Sequence, residues 1–375
     1  GTHGRTVEQQ MLHLRVAGAA AAFSLLTGAA LGFVFQRGRF CFFCIQRDYV
    51  EQRDSSGLFA VLTALAVGGV GYAIVFGAFL PNAWSGRMPP GAHIGPVSWA
   101  LVAAGVAFGL GMALSGACIS GHLYRLGEGY SRALPTLLGA LLGFGLGFYT
   151  WNTLYLSAIA RAPVLWLPAW LGYGGALAVH LAALGGLAWF WLRSLPEQPA
   201  RPAQRLTLAS AWDALFGRRW PAPVSGTLVG LIGVFAYFRV EPLGVTAQLG
   251  SVSRTVMNNA GWLPDRLNGL DTLAGCATQV IRTITDNGYL IGGLVAGALI
   301  AALLADRFRP SRLTLGNGTT ALLGGVLMGW GSMTALGCTV GTLLSGISAF
   351  ALSGWVFAAA VFAGVWLGIK LRWVS

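Results

Sequence analysis

Charge is scarce in this chain, and lysine is almost missing. Asp, Glu, Lys and Arg supply 10% of the 375 residues, and of 24 basic residues only Lys370 is lysine. Soluble domains carry about one quarter charged residues, so a chain this poor in charge, 55% hydrophobic and with a mean hydropathy of +0.66, reads as an integral membrane protein whose surrounding partner is the lipid bilayer. Also missing are a nucleotide-binding motif and any chain of carboxylates inside the apolar spans. Energy coupling is therefore not legible, no cofactor is expected, and nothing points to an enzyme or to a nucleic-acid partner. What charge there is gives a net +12, nearly all of it guanidinium. Fixed positive charge suits an anionic solute, although most of these arginines read as helix-end anchors.

Cysteine is sparse too, with five residues: Cys41, Cys44, Cys118, Cys276 and Cys338. An odd number without a secreted-scaffold pattern makes disulfides an unobvious use. Cys41-Phe-Phe-Cys44 has the spacing of half a zinc site, but among the histidines only His122 lies near a cysteine, so no metal is expected. A buried free cysteine is commonly a small hydrophobe. Against that reading, all five fall in breaks marked by Gly or Arg and none in a smooth apolar span.

Glycine is plentiful, at 55 residues, and its placement shows a duplication. A shift of 220 positions brings Gly109, Gly111, Cys118 and Gly121 onto Gly329, Gly331, Cys338 and Gly341. Each copy ends an apolar run, as expected of a helix that breaks at glycines inside protein and presents a cysteine. Gly116, Gly121, Gly275, Gly337 and Gly341 are the candidates for shaping that backbone. A second match sets Cys41 on Cys276 and Arg47 on Arg282, each arginine six residues after its cysteine. These two arginines are the candidate guides for an anion. Cys44 has no counterpart, since Gln279 aligns with it, so it reads as an internal control outside the path.

Apolar spans run at about 17–36, 57–80, 97–115, 133–156, 165–192, 223–238, 289–305, 318–337 and 352–371, nine in all. Each is near the ~20 residues that cross the hydrocarbon core. The first could be mistaken for a signal peptide, but removing it would leave the repeat incomplete. The chain divides into a polar start (1–16), a first membrane repeat (17–164), an inverting helix with an Arg/Pro-rich linker (165–221) and a second repeat (222–375). Counting Arg and Lys on alternate sides puts the N-terminus in the periplasm and the C-terminus in the cytoplasm. Five crossings separate Cys118 from Cys338, and five separate Cys41 from Cys276, so each pair enters from opposite faces. The expected fold is all-α, with about nine transmembrane helices in an inverted 4+1+4 repeat. Short broken or re-entrant helices are expected near 37–50, 118–128, 276–286 and 338–346. In inverted repeats, broken helices meet near the midplane and build the solute site there.

With the metal reading disfavoured, neutral thiols and thiolates activated by a nearby Arg remain open as uses of the cysteines. A thiolate in an apolar path for anions is disfavoured unless an arginine offsets desolvation and repulsion. A neutral S–H with its polarisable sulfur suits a soft anion that has an exposed sulfur atom. Arg125 and Glu128, three apart, are expected to pair with each other, and His180 reads as a packed histidine.

Gly-Arg-Phe-Cys41, Ser115-Gly-Ala-Cys118-Ile-Ser-Gly121 with Arg125-Leu-Gly-Glu-Gly129, and Gly337-Cys338-Thr-Val-Gly341 with Ser345-Gly346 resemble the YeeE/YedE sulfur transport family. The resemblance spans nearly the whole chain. It implies an hourglass of two pseudo-symmetric halves in the bacterial inner membrane and a thiosulfate ion as solute. Cys41, Cys118 and Cys338 would relay the sulfur, with Cys276 completing the set. It also implies that a TusA-like cytosolic sulfur carrier could be a partner, and that related sulfur or selenium species, or a persulfide-forming sulfurtransferase, are the alternatives.

Overall fold

The duplication is built into the packing of the helices. The computed structural model describes residues 2–195, 207, 210, 212–270, 273 and 278–371, with 2–17 as backbone only. The helices of the first half are α1 (Thr2–Gly38), α2 (Phe42–Gln52), α3 (Ser56–Phe79), α4 (Trp99–Ser115), α5 (Ile119–Gly127) and α6 (Ala133–Leu154). Then comes α7 (Pro168–Leu192). The second half has α8 (Ala222–Arg239), α9 (Ala247–Asn259), α10 (Asp286–Leu304), α11 (Leu315–Thr334), a π-helical turn (Thr339–Ser345) and α12 (Leu352–Lys370). Each of the nine apolar spans coincides with one of α1, α3, α4, α6, α7, α8, α10, α11 and α12. Among the described residues, eight segments are each long and apolar enough to cross a membrane, and α11, bent by 44° into residues 339–348, makes up to nine. The protein is an all-α integral membrane protein.

Helix α1 packs on α10 and α3 on α8; α4 packs on α12 and α6 on α11, with α4 and α11 side by side at the centre. These pairs interchange when α1, α3, α4 and α6 are replaced by α8, α10, α11 and α12, as an inverted repeat requires. Helix α7, the odd one, packs against α3 at the edge and has only 17% of its apolar window buried.

The central crossing shows why glycine is needed. A Cβ on Gly111 would lie 2.5 Å from the carbonyl oxygen of Gly324, and one on Gly331 would lie 2.6 Å from that of Ala104. The 220-residue shift carries one contact into the other, so the backbones touch twice, symmetrically. No side chain fits there.

Breaks interrupt the central helices at the predicted cysteines. Helices α4 and α5 form one broken span, Trp99–Gly127, with Gly116-Ala117-Cys118 at the gap. Three of the expected short helices are present as α2, α5 and the turn 339–348. The fourth is corrected: residues 278–285 are not helical, and the element that follows α8 as α2 follows α1 is instead α9. Cys41 is the N-cap of α2, and its equivalent is Thr246, the N-cap of α9, rather than Cys276. The pairing of Arg47 with Arg282 falls with it. Polar α9 was hidden because its residues, Gln248, Ser251, Ser253 and Arg254 among them, carry neither a long apolar run nor a cysteine. Cys276 and Gly275 lie outside the described residues.

Candidate functional site

Three of the cysteines converge. Cys41, Cys44, Cys118 and Cys338 are all buried free thiols, and Cys41 Sγ lies 4.0 Å from Cys118 Sγ. The approach depends on Gly121, where a Cβ would sit 2.8 Å from Cys41 Sγ and 3.3 Å from Cys118 Sγ. Cys118 caps α5 with its sulfur, which accepts from the Gly121 N–H at 3.3 Å and lies 3.2 Å from Ser120 Oγ. Ser, Thr, Asn and Asp are the ordinary N-caps; here a cysteine sulfur takes that place. Around Cys41 stands an aromatic wall: Phe40 stacks on Phe35 at 5.2 Å and meets Phe42 edge-on at 5.5 Å.

A common turn presents Cys41, Cys118 and Cys338. The residue two before each has a left-handed backbone: Arg39 at φ 51, Gly116 at φ 85 and Leu336 at φ 56. Only Gly takes this region freely, so Arg39 and Leu336 hold strain that the packed surroundings must offset. Cys338 opens the π-helical turn of the second half, and Gly337 and Gly341 bracket it.

Cys44, expected to be a bystander, belongs to the cluster. Its sulfur accepts from Arg125 Nη2 at 2.9 Å, while Nη1 of the same guanidinium donates to the Gly116 carbonyl at 3.1 Å. Arg125 also lies over the ring of Tyr130, 5.5 Å from its centroid. The expected Arg125–Glu128 pair is thus overturned: Glu128 accepts from Gln36 Nε2 at 3.1 Å instead. Spacing along α5 allowed the pair, but the Gly116 carbonyl and the Cys44 sulfur on α2 take the Arg125 guanidinium instead.

Two cavities open beside this cluster. One of about 290 Å³ is lined by Arg39, Arg125, Arg219, Arg307 and Arg309, with Glu128 the single carboxylate among the described lining residues. A second, of about 640 Å³, has Cys44 in its wall with Arg39, Asp48, Asp54 and Arg219. Burial first, and then the neighbouring Arg39 and Arg307, hold the Arg219 guanidinium below its ordinary value. Arg47 sits nearby but is engaged: its guanidinium meets Asp48 at 2.8 Å and Glu51 at 3.8 Å, and lies 6.0 Å from the Phe43 ring centroid. Arg282 is exposed in the non-helical segment before α10.

On the other side of the molecule, a cavity of about 300 Å³ is lined by His93, Glu241, Gln279, Asp286 and Asn287. His93 comes from the loop between α3 and α4, and Gly337 and Gly341 make room for it: a Cβ on Gly341 would lie 2.7 Å from its Cε1. Burial pushes the His93 imidazole down to about 4. Burial first, and then Asp286, push the Glu241 carboxyl up. His93 was invisible in the sequence because 244 positions separate it from Gly337 and no motif joins them. Among the described residues, no group of three His, Cys, Asp or Glu is placed to hold a metal ion.

The chain matches the sulphur transport family over residues 37–367. It belongs to that family. The thiosulfate transporter TsuA of Escherichia coli (strain K12) is 28% identical to it over 380 residues, covering 93% of this chain and 94% of the relative. TsuA of Spirochaeta thermophila is 30% identical over 363 residues, covering 93% and 97%. A probable transporter, YedE of Escherichia coli (strain K12), matches only 22% of the chain, at 34% identity over 88 residues. The family match begins at Arg37, four residues before Cys41, and runs past Cys338, so it takes in the whole thiol cluster.

Proposed function

We propose that this protein takes up thiosulfate across the bacterial inner membrane, passing the anion along buried thiols. The observation that carries the reading is the 4.0 Å approach of Cys41 and Cys118 over Gly121, beside cavities lined by arginine. Thiosulfate carries a soft terminal sulfur, and the thiols offer weak S–H donors and polarisable sulfur. The relatives named as thiosulfate transporters support the choice of solute.

In this reading the anion enters past His93, meets Cys338, then Cys118 and Cys41, and leaves past Cys44 and Arg125 into the arginine vestibule. Cys276 joins the relay as expected from the sequence. Arg47 and Arg282 act as long-range guides at the mouths, while Arg39, Arg125, Arg219, Arg307 and Arg309 collect the anion directly. The arginine vestibule faces the cytoplasm, in keeping with positive-inside charge, which leaves the N-terminus periplasmic. A TusA-like sulfur carrier would receive the product there. Growth of a sulfate-uptake-deficient bacterium on thiosulfate as sole sulfur source, with and without this chain, tests the proposal; no difference between the two would overturn it.

One observation favours a second reading, a membrane sulfurtransferase. Arg125 Nη2 on Cys44 Sγ could hold Cys44 as a thiolate. The thiolate would attack the outer sulfur of thiosulfate; the S–S bond would break, sulfite would leave with the electron pair, and a persulfide would remain on Cys44. Mass spectrometry of purified protein after thiosulfate treatment decides, through a Cys44 peptide heavier by one sulfur atom.

A further inference from the structure

Three described histidines are buried, and they differ in one respect. His180 is satisfied: its Nε2 lies 3.0 Å from the Leu65 carbonyl oxygen, and Phe350 packs edge-on at 5.5 Å. His122 is fully buried with no hydrogen-bond partner on either ring nitrogen, and buried His93 meets the Leu336 backbone but has no partner at Nδ1. Buried polar atoms are nearly always paired, so such orphans ask for an explanation. Each of these two histidines lies on one of the two helix breaks. His122 is one turn after Cys118 on α5, with its backbone N–H on the Cys118 carbonyl at 2.9 Å. His93 rests on Gly337 and Gly341, on either side of Cys338. His93 also shares a small cavity with Thr334, whose Oγ1 is buried and unpaired as well. His122 stacks on Tyr130, which lines the arginine vestibule.

We infer that His93 and His122 are specificity-determining residues that donate hydrogen bonds to the oxygens of thiosulfate while the adjacent thiol takes its sulfur. The inference deepens the transport reading and rests on it. Thiosulfate is two-faced, with three hard oxygens on one sulfur and a soft sulfur at the other end. A thiol satisfies only the soft end. A neutral imidazole carries one N–H; His122 has no protein partner for it, and His93, whose ring also meets the Leu336 backbone, has none at Nδ1. Anions with the soft end alone, such as hydrosulfide, would leave these nitrogens unmet, so the pair selects for a sulfonate-bearing sulfur anion.

The test is uptake of radiolabelled thiosulfate into proteoliposomes by His93→Phe, His122→Phe, His180→Phe and the parent, with melting temperature measured alongside. Phenylalanine keeps the ring and removes the donor. Each of the first two is expected to raise KM at least about tenfold, the loss of one hydrogen bond to a charged group, with the melting temperature unchanged or higher because an orphan has gone. Gln at either position should recover part of the affinity, and His180→Phe should leave KM where it was. If the two variants keep KM within twofold of a transporting parent, the inference is overturned and the transport reading stands. If the parent itself takes up no thiosulfate, the transport reading fails first. Should a phenylalanine variant not accumulate in the membrane, the alanine variant at that position is read by the same two outcomes.

Discussion

Arg125 Nη2 donates to Cys44 Sγ at 2.9 Å, across 81 positions of sequence, while Nη1 holds the carbonyl of Gly116. One guanidinium thereby ties the cysteine of α2 to the break before Cys118. Replacing Arg125 by Gln should lower thiosulfate uptake at least tenfold, about what the loss of a charge-assisted hydrogen bond gives. Lys should not restore it, since a single ammonium cannot span both acceptors. Cys44→Ala should lose uptake as well; a Cys44→Ala protein that transports like the parent would return Cys44 to the role of bystander.

Chemistry and packing separate at Cys41, Cys118 and Cys338. Ala at any of the three should abolish growth on thiosulfate while membrane-inserted protein stays near its normal abundance. Ser should fail too, because a hydroxyl keeps a donor but loses the polarisable sulfur. Were the cysteines mere packing, the cost would be about 1 kcal/mol of stability, and uptake would persist. Immunoblots alongside uptake assays tell the two apart.

Two glycines of the first break should respond to alanine in different ways. A Cβ on Gly116 meets nothing within 4 Å, so its cost is the left-handed backbone alone, about 1–2 kcal/mol. Asn at that position should cost less. Gly121→Ala instead pushes a methyl between Cys41 and Cys118. A mild oxidant should link those two cysteines in the parent, and the same treatment of Gly121→Ala should give markedly less of the link. Equal yields would show that Gly121 does not set the spacing.

The cavity lined by His93 and Glu241 should make uptake depend on pH. Burial, and then Asp286, raise the Glu241 carboxyl above its ordinary 4.5. The neutral form is thus favoured in the folded protein, and the stability it contributes is present below 4.5 and is lost as pH rises through the raised value. Above that value an ionised Glu241 repels an incoming dianion. KM for thiosulfate should therefore rise with pH through this range in the parent and stay flatter in Glu241→Gln. Parallel profiles would remove Glu241 from the path.

How far the sequence could be read follows from which forces are local. Nine apolar spans and the break at Cys118 and Cys338 were legible because span length, glycine and a fixed shift of 220 leave a trace along the chain. The reciprocal contacts of Gly111 with Gly324 and of Gly331 with Ala104 carry that same shift in three dimensions. Helix α9 left no such trace, being short and polar, so the second repeat was placed in the wrong register around Cys276. Likewise hidden were Arg125 on Cys44 and His93 on the glycines beside Cys338, since tertiary approach over 81 and 244 positions has no signature in spacing.

The crossing of α4 and α11 also limits how this protein can move. Where a carbonyl oxygen rests on the bare Cα of the opposite helix, sliding by even one residue would drive a side chain into backbone, at Gly111 and again at Gly331. A rocking-bundle cycle, in which one half tilts against the other as a rigid body, would have to undo both contacts at every turnover. Movement of the short pieces that hang from this centre, the turn at 39–41, the break at 116–118 and the π-helical turn after Cys338, would leave both contacts intact.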